Sequence, residues 1–340
     1  MIEVTLAGFY SSVQDLGRLG YRHLGVGMSG AMDTLALSVA NVLVGNPAGA
    51  AALEITMGLA AFTFHADTEI ALGGASAHAT LDGRSLPNWW AVSVKAGQVL
   101  RFGALEAGVR SYVAVRGGLD VQPALGSAST DLKGGFGGLG GRPLKNGDRL
   151  SAKAAAPSGR PNRGFGLSPW RPDPYQESRP GAGLVGTGVA PSAADDTLVI
   201  HILPAAQWGD LTSQAQELLT SVDWETAPES NRVGCRLDGP ELPMRERHEM
   251  RSHGIMPGVV QLPPAGRPIV QLCDGNTSGG YPVVATVIQA DLHHFAQMRP
   301  KARLRFELCD IAQAQERWAR RQRFLDALAL RCELTRSRFS

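Results

Sequence analysis

Four short segments gather the residue types that could do chemistry. The first, Val13 to Asp33, sets Gln14, Asp15 and Arg18 among glycines. A carboxylate and a guanidinium in such a loop can face a ligand that glycine lets close, or can simply pair to brace the loop. The second, Ser230 to Leu237, carries Asn231 and Arg232, and the third, Gly258 to Pro263, carries Gln261. The fourth, Asp274 to Pro282, places Asp274, Asn276, Thr277, Ser278 and Tyr281 around Gly279 and Gly280. Carboxylate, amide, hydroxyl and phenol around paired glycines is the composition of a small polar-ligand pocket at a barrel mouth. Each Asn, Gln or Thr in these segments also suits an ordinary turn hydrogen bond, and Asp33 suits a helix N-cap.

Other constellations fail on context. Gly135 to Gly140 matches G-x-G-x-x-G, but it runs into Arg142-Pro143 and Asn146-Gly147-Asp148, which is turn chemistry, not the helix a dinucleotide site requires. It could still form a mobile lid whose amides meet an anion. His248 and His253 stand one residue too far apart for the H-E-x-x-H metal pair, and the rings of adjacent His293 and His294 should diverge. No metal site is therefore expected. Neither a G-x-S-x-G elbow nor a P-loop occurs.

Short β-rich runs bounded by turn residues predict strands at 53–64, 69–72, 92–94, 99–102 and 112–115 in the first half. One helix is expected after Asp33, with Leu35, Val39, Val42 and Leu43 on its apolar face and Gly45-Asn46-Pro47 as its stop. Residues 154–195 are dense in Pro, Gly and Arg and predict a linker, which Trp170 and Tyr175 could pin to a surface. Strands resume at 198–203, 258–262, 268–272, 283–288 and 302–308, with helices near 213–219 and 291–297. An Arg-rich helix is expected after Ile311, docking Trp318, Leu325, Leu328 and Cys332 against its own barrel, with a partner-binding role as the alternative. The echo of VLRF (99–102) in RLRF (303–306) suits two similar β domains. The expected division is 1–153, a linker 154–195, 196–310 and a helix 311–340.

Composition narrows the class. Gly makes up 41 of 340 residues, about 12% against a usual ~7%, which fits a turn-rich, mainly β protein. Charges nearly cancel, 33 Lys+Arg against 31 Asp+Glu, so there is no electrostatic footprint for nucleic acid. No apolar run suits a membrane span, and the start lacks a signal-peptide pattern. Four scattered cysteines without a C-x-x-C pair read as free thiols of a cytoplasmic protein.

The chain resembles the KipA family, also called the allophanate hydrolase subunit 2 or biotin-dependent carboxyltransferase family, which includes the C subunit of bacterial 5-oxoprolinase. The resemblance rests on ordered stretches: VQDLGRLGYRHLGVGMSGAMD (13–33), ANVLVGN, LEIT (53–56), YVAVRGGLD, LGSAST, GGRPLKNGD, SNRVGCRLDG (230–239), GVVQLP and TSGGYPVVATVIQADLHHFAQ (277–297). Departures are Leu19 for the usual Pro, Lys301 for a Gly, and Gly275 where the family carries Arg.

The resemblance implies two cyclophilin-like β-barrel domains, and a subunit of an ATP-dependent complex that opens 5-oxoproline to glutamate. The implied partners are a KipI-like second subunit and a third 5-oxoprolinase subunit, with ATP and Mg²⁺ shared with the partner. Related settings imply alternatives: a carboxyltransferase subunit working with biotin on urea or an amide, or a non-catalytic regulatory partner of a KipI-like kinase inhibitor. In the lactam-opening setting Arg18 and Arg232 would stabilise charge, and Asp15 or Asp274 would orient them or hold Mg²⁺. Gln14, Asn231, Gln261, Thr277 and Tyr281 would bind the substrate, with Gly279 and Gly280 giving close approach.

Overall fold

The computed structural model describes residues 1–155, 165–166, 197–246 and 250–337. Trp170, Tyr175, His248 and most of the expected linker lie outside the described residues.

Twelve strands of the first half form two six-stranded sheets. The first sheet runs β11 (Arg149–Leu150), β1 (Ile2–Leu6), β4 (Ala61–Phe64), β9 (Val99–Arg101), β6 (Thr80–Leu81), β7 (Arg84–Ser85). The second runs β12 (Phe165–Gly166), β8 (Trp90–Val94), β5 (Thr68–Ser76), β10 (Ala107–Val115), β3 (Ala52–Thr56), β2 (Tyr10–Gln14). Apolar residues of both sheets, among them Val4, Phe62, Leu53, Ile55, Ile70 and Val113, share one core between them. The other face of the second sheet lies under α1 (Thr34–Val44), so β10 is buried along its whole length and shows no polar alternation. The helix starts as expected: Asp33 Oδ1 accepts from the Ala36 amide, and Gly45 ends it in the left-handed region. It comes so close to β5 that a Cβ on Gly73 would stand 2.9 Å from the Ala36 carbonyl oxygen.

The second half is a closed barrel in the order β13 (Leu198–Pro204), β20 (Val283–Val287), β17 (Val259–Gln261), β18 (Ile269–Gln271), β15 (Gly234–Asp238), β14 (Trp224–Thr226), β21 (Arg303–Leu308). Alternate residues fill its interior: Leu198, Ile200 and Ile202 on β13, Val260 on β17, Val270 on β18, Leu304 and Phe306 on β21. A parallel pairing of β13 with β21 closes the ring. A two-residue ladder, β16 (His253–Gly254) with β19 (Ser278–Gly279), covers one flank. A helix, α2 (Ser213–Ser221), packs on β21.

The expectation of two barrels is corrected here. Among the described residues one closed seven-stranded barrel is present, and the described strands of the first half form an open sandwich whose sheets end at β11, β7, β12 and β2 without pairing across. The tetrapeptide echo reports only strand alternation. Val99–Arg101 sits between β4 and β6 of an open sheet, whereas Arg303–Leu308 closes the ring.

The last helix, α3 (Ile311–Ser337), docks on the first half instead of on its own barrel. Leu325, Leu328 and Cys332 join the cluster around α1, and Arg321 Nη2 donates to Thr34 Oγ1 at 2.6 Å. This second cover explains why α1 is buried on all sides instead of on the single apolar face expected. The rings of His293 and His294 do not diverge; their centroids are 4.0 Å apart in a buried 3₁₀ turn. All four cysteines are free.

Candidate functional site

The second sheet builds the site by register. On β2, β3 and β10 the residues Tyr10, Thr56 and Arg110 stand opposite one another, and two positions on, so do Ser12, Glu54 and Tyr112. Ile55 between the rows, and Val13, Leu53 and Val113 just beyond them, turn the other way into the sandwich core. Two polar rows therefore share the face that meets the second half.

Glu54 is fully buried, so its charge requires partners. Arg232, from the second half, donates to Glu54 Oε1 at 2.5 Å, to Asp274 at 2.7 and 3.0 Å, and to the Gly30 carbonyl at 2.7 Å. The other oxygen of Glu54 accepts from the Tyr112 hydroxyl at 2.7 Å and from the Met32 amide at 2.9 Å. Burial opposes the Arg232 charge, but Cys273, Glu54 and Asp274 outweigh it and hold the guanidinium protonated. Burial beside Glu54 likewise pushes the Tyr112 phenol well above its ordinary range.

Gln297 completes the junction. Its side-chain amide donates to Asp33 Oδ2 at 2.8 Å and to the Arg110 carbonyl at 3.0 Å, and accepts from the Val109 and Arg110 amides. Arg110 Nη1 donates to the Ala296 carbonyl at 2.7 Å, and its Nε lies 3.8 Å from Glu54.

Beside this network a cleft of about 700 Å³ opens between the halves. Its walls are mostly apolar, with Phe9, Met32, Met57, Val109, Phe295 and Met298 among them, while Tyr10, Thr56, Arg110, Arg232 and Asp274 supply polar groups. Of the expected site residues, Asn231, Arg232 and Asp274 meet at this cleft. Asn231 there makes a local turn, its side-chain oxygen accepting from the Val233 amide at 2.8 Å.

The other expected residues lie elsewhere. Asp15 accepts from the Gly17 and Ala128 amides and from the Ser127 and Ser129 hydroxyls, tying two loops together. Arg18, 1% exposed, donates to the Ser129 carbonyl at 2.6 Å, lies 3.6 Å from Asp131 and stacks under Phe136. Both residues brace their loops, though with other partners than each other. The Gly-rich turn folds tightly over Arg18: a Cβ on Gly137 would collide with the Ser129 carbonyl, and one on Gly138 with Thr130 Oγ1. Gln14 is buried and donates to Ser12 Oγ at 2.9 Å.

Gln261, Thr277, Gly279, Gly280 and Tyr281 gather on the barrel flank. Gln261 Oε1 accepts from Gln271 there, and Gly279 pairs with His253. Arg22 of the first half clamps this flank by donating to the carbonyls of Ile255 and Asn276, and Lys133 donates to Asn276 Oδ1 at 2.7 Å.

Glu54, Tyr112, Arg110 and Gln297 were not among the candidate residues. One signal was available: a carboxylate in the middle of the apolar strand LEIT must find a buried cation.

An open β-sandwich joined to a closed β-barrel across a charged junction defines a two-part β protein with a composite cleft. The chain belongs to the family described as carboxyltransferase domain, subdomain A and B, whose model matches residues 24–308. It is 39% identical over 331 residues to the 5-oxoprolinase C subunit of Escherichia coli (strain K12), covering 97% of this chain and 98% of that protein. Among solved structures, TTHA0988 superposes with a TM-score of 0.74 at 35% identity, over 90% of this chain and 55% of that one. The Kluyveromyces lactis urea carboxylase superposes with a TM-score of 0.80 at 29% identity, over 96% of this chain and 29% of that one. The chain thus spans about half of one solved relative and under a third of the other.

Proposed function

We propose that this chain is a subunit of an ATP-dependent 5-oxoprolinase, and that it holds the substrate in the cleft between its halves. The supporting observation is the 39% identity that runs across 98% of a 5-oxoprolinase C subunit. The cleft chemistry agrees. Four cationic side chains, Arg110, Lys133, Arg232 and Arg299, line it, and Glu54 and Asp274 answer two of those charges, which leaves a positive balance that suits an anionic substrate.

The reaction is demanding because a five-membered lactam is a resonance-stabilised amide. Its carbonyl must be activated, and in this reading ATP supplies the activation. Among the described residues, neither the Gly-rich turn nor any acidic cluster makes an ATP–Mg²⁺ site. The Gly-rich turn has a cradle's composition, but the amides of Gly134, Gly135, Gly138 and Gly141 already donate to Asp131, Ala128 and Gly137. Among the described residues no three His, Cys, Asp or Glu side chains come together as metal ligands. The nucleotide is therefore assigned to the KipI-like second subunit and the third 5-oxoprolinase subunit. This chain contributes binding, orientation and a field that favours the substrate anion.

A second reading follows from the likeness to urea carboxylase: a carboxyltransferase subunit that acts with a biotinylated partner on urea or another amide. Reconstitution with the partner subunits separates the two. The first reading expects ATP consumption only when 5-oxoproline is present. ATP turnover indifferent to 5-oxoproline, with a biotinylated protein copurifying on a streptavidin blot, would favour the second.

A further inference from the structure

We infer that the cross-strand row Tyr10–Thr56–Arg110 is the seat of a ligand carboxylate, with the ligand's apolar body lying along the methionine and phenylalanine walls of the cleft. This rests on the preceding section only in taking the cleft as the place where the ligand binds.

Thr56 Oγ1 and Arg110 Nε belong to residues 9% and 8% exposed that line the cleft; Thr56 Oγ1 makes no hydrogen bond, and Arg110 Nε makes none either, its ion pair with Glu54 Oε1 being 3.8 Å long. A buried donor without an acceptor is costly, and native chains keep few of them. The Tyr10 hydroxyl, third in the row, lies near Ser12 and Arg232 and likewise makes no well-formed hydrogen bond. Three O–H and N–H groups side by side ask for acceptors. Arg299 adds positive charge, since among the described residues its guanidinium donates to the neutral carbonyls of Gly108 and Leu105.

Carboxylate is favoured over phosphate by what lines the site. Phosphate cradles use successive backbone amides in glycine turns or at helix N-termini, and no glycine lines this cleft. The donors of the row are enclosed, so a carboxylate reaches them when the side chains above rotate. Met57 and Met298, unbranched and on the cleft wall, are suited to that adjustment.

The test uses the full chain, hexanoate and hexanamide as matched probes, and 5-oxo-L-proline, read by titration calorimetry alongside thermal melting. Hexanoate is expected to bind at least about tenfold more tightly than hexanamide. Thr56→Val and Tyr10→Phe are each expected to weaken hexanoate about three- to tenfold while leaving hexanamide unchanged. Thr56→Val should also keep or raise the melting temperature, because it removes a buried group without a partner. Equal binding of acid and amide, or variants that bind hexanoate like the parent, would overturn the assignment. So would a Thr56→Val protein that melts several degrees lower, since its hydroxyl would then have a structural partner. Inorganic phosphate that displaces hexanoate at lower concentration would replace carboxylate with phosphate. Should hexanoate bind as expected and 5-oxo-L-proline not, the carboxylate seat stands and the 5-oxoprolinase reading falls.

Discussion

Arg232 does two jobs that pull against each other. It lines the cleft, yet all three of its nitrogens are engaged by Glu54, Asp274 and Gly30, so it shapes the field there while held in place by the protein. A buried ion pair is weak evidence for stability, but breaking one is expensive because a charge is stranded. Glu54→Gln is therefore expected to destabilise the fold by about 3 kcal/mol or more, seen as a lower midpoint in urea at pH 7. An unchanged midpoint would mean that Asp274 alone satisfies Arg232. Arg232 and Asp274 could be picked out from sequence because their motifs cluster polar groups, and both line the cleft. Glu54 was missed, because its role depends on a strand register that local pattern does not reveal. Asp15 and Arg18 show the converse: charges in a glycine loop were legible, but only their distance to Ser127, Ser129 and Asp131 reveals a brace.

Among elements, α1 is the hub, with the second sheet on one side and α3 on the other. Its cap and stop could be read from Asp33 and Gly45, which act locally. The destination of α3 could not, because an apolar stripe of Leu325, Leu328 and Cys332 says that something is buried without saying against what. Leu328, 6% exposed, is the direct test: Leu328→Ala should cost about 2–4 kcal/mol in denaturant unfolding, whereas the exposed Leu330→Ala should cost little. If the two variants behave alike, α3 does not dock as described. Barrel closure was equally hidden, since β13 and β21 pair across more than a hundred residues and neither carries a mark of its neighbour.

At the scale of the molecule, the barrel half and α3 meet at one buried polar patch. Asp291 accepts from the His201 amide and bonds its ring at 2.8 Å, His293 and His294 lie beside it, and Arg321 reaches it from α3. Burial pushes His294 from 6.5 down to about 4 and outweighs the opposing pull of Asp291; His293 is lowered too, again chiefly by burial. The folded chain thus resists protonation that the unfolded chain accepts. Stability contributed by neutral His294 is complete above pH 6.5 and is lost progressively as pH falls toward about 4. The loss reaches on the order of 3 kcal/mol at the lower end. Asp291 does not offset it within that window, because its own depressed pKa makes stability fall only at still lower pH. Urea midpoints measured between pH 7 and 4 should decline for the parent and decline less for His294→Gln. A flat profile would contradict the buried neutral state.

The parallel seam of the barrel has a kinetic consequence. Because β13 and β21 run the same way, the chain enters the barrel at one end and leaves it at the other. The entry end is joined to the sandwich by the chain itself, and the exit end by α3 lying on α1. The barrel is thus a load held at two points, and parting the cleft does not release a free piece. Each reclosure is unimolecular, because the two halves belong to one chain. A ligand that wedges the halves apart competes with that local return, so its residence time reports the strength of the strap as much as its own contacts.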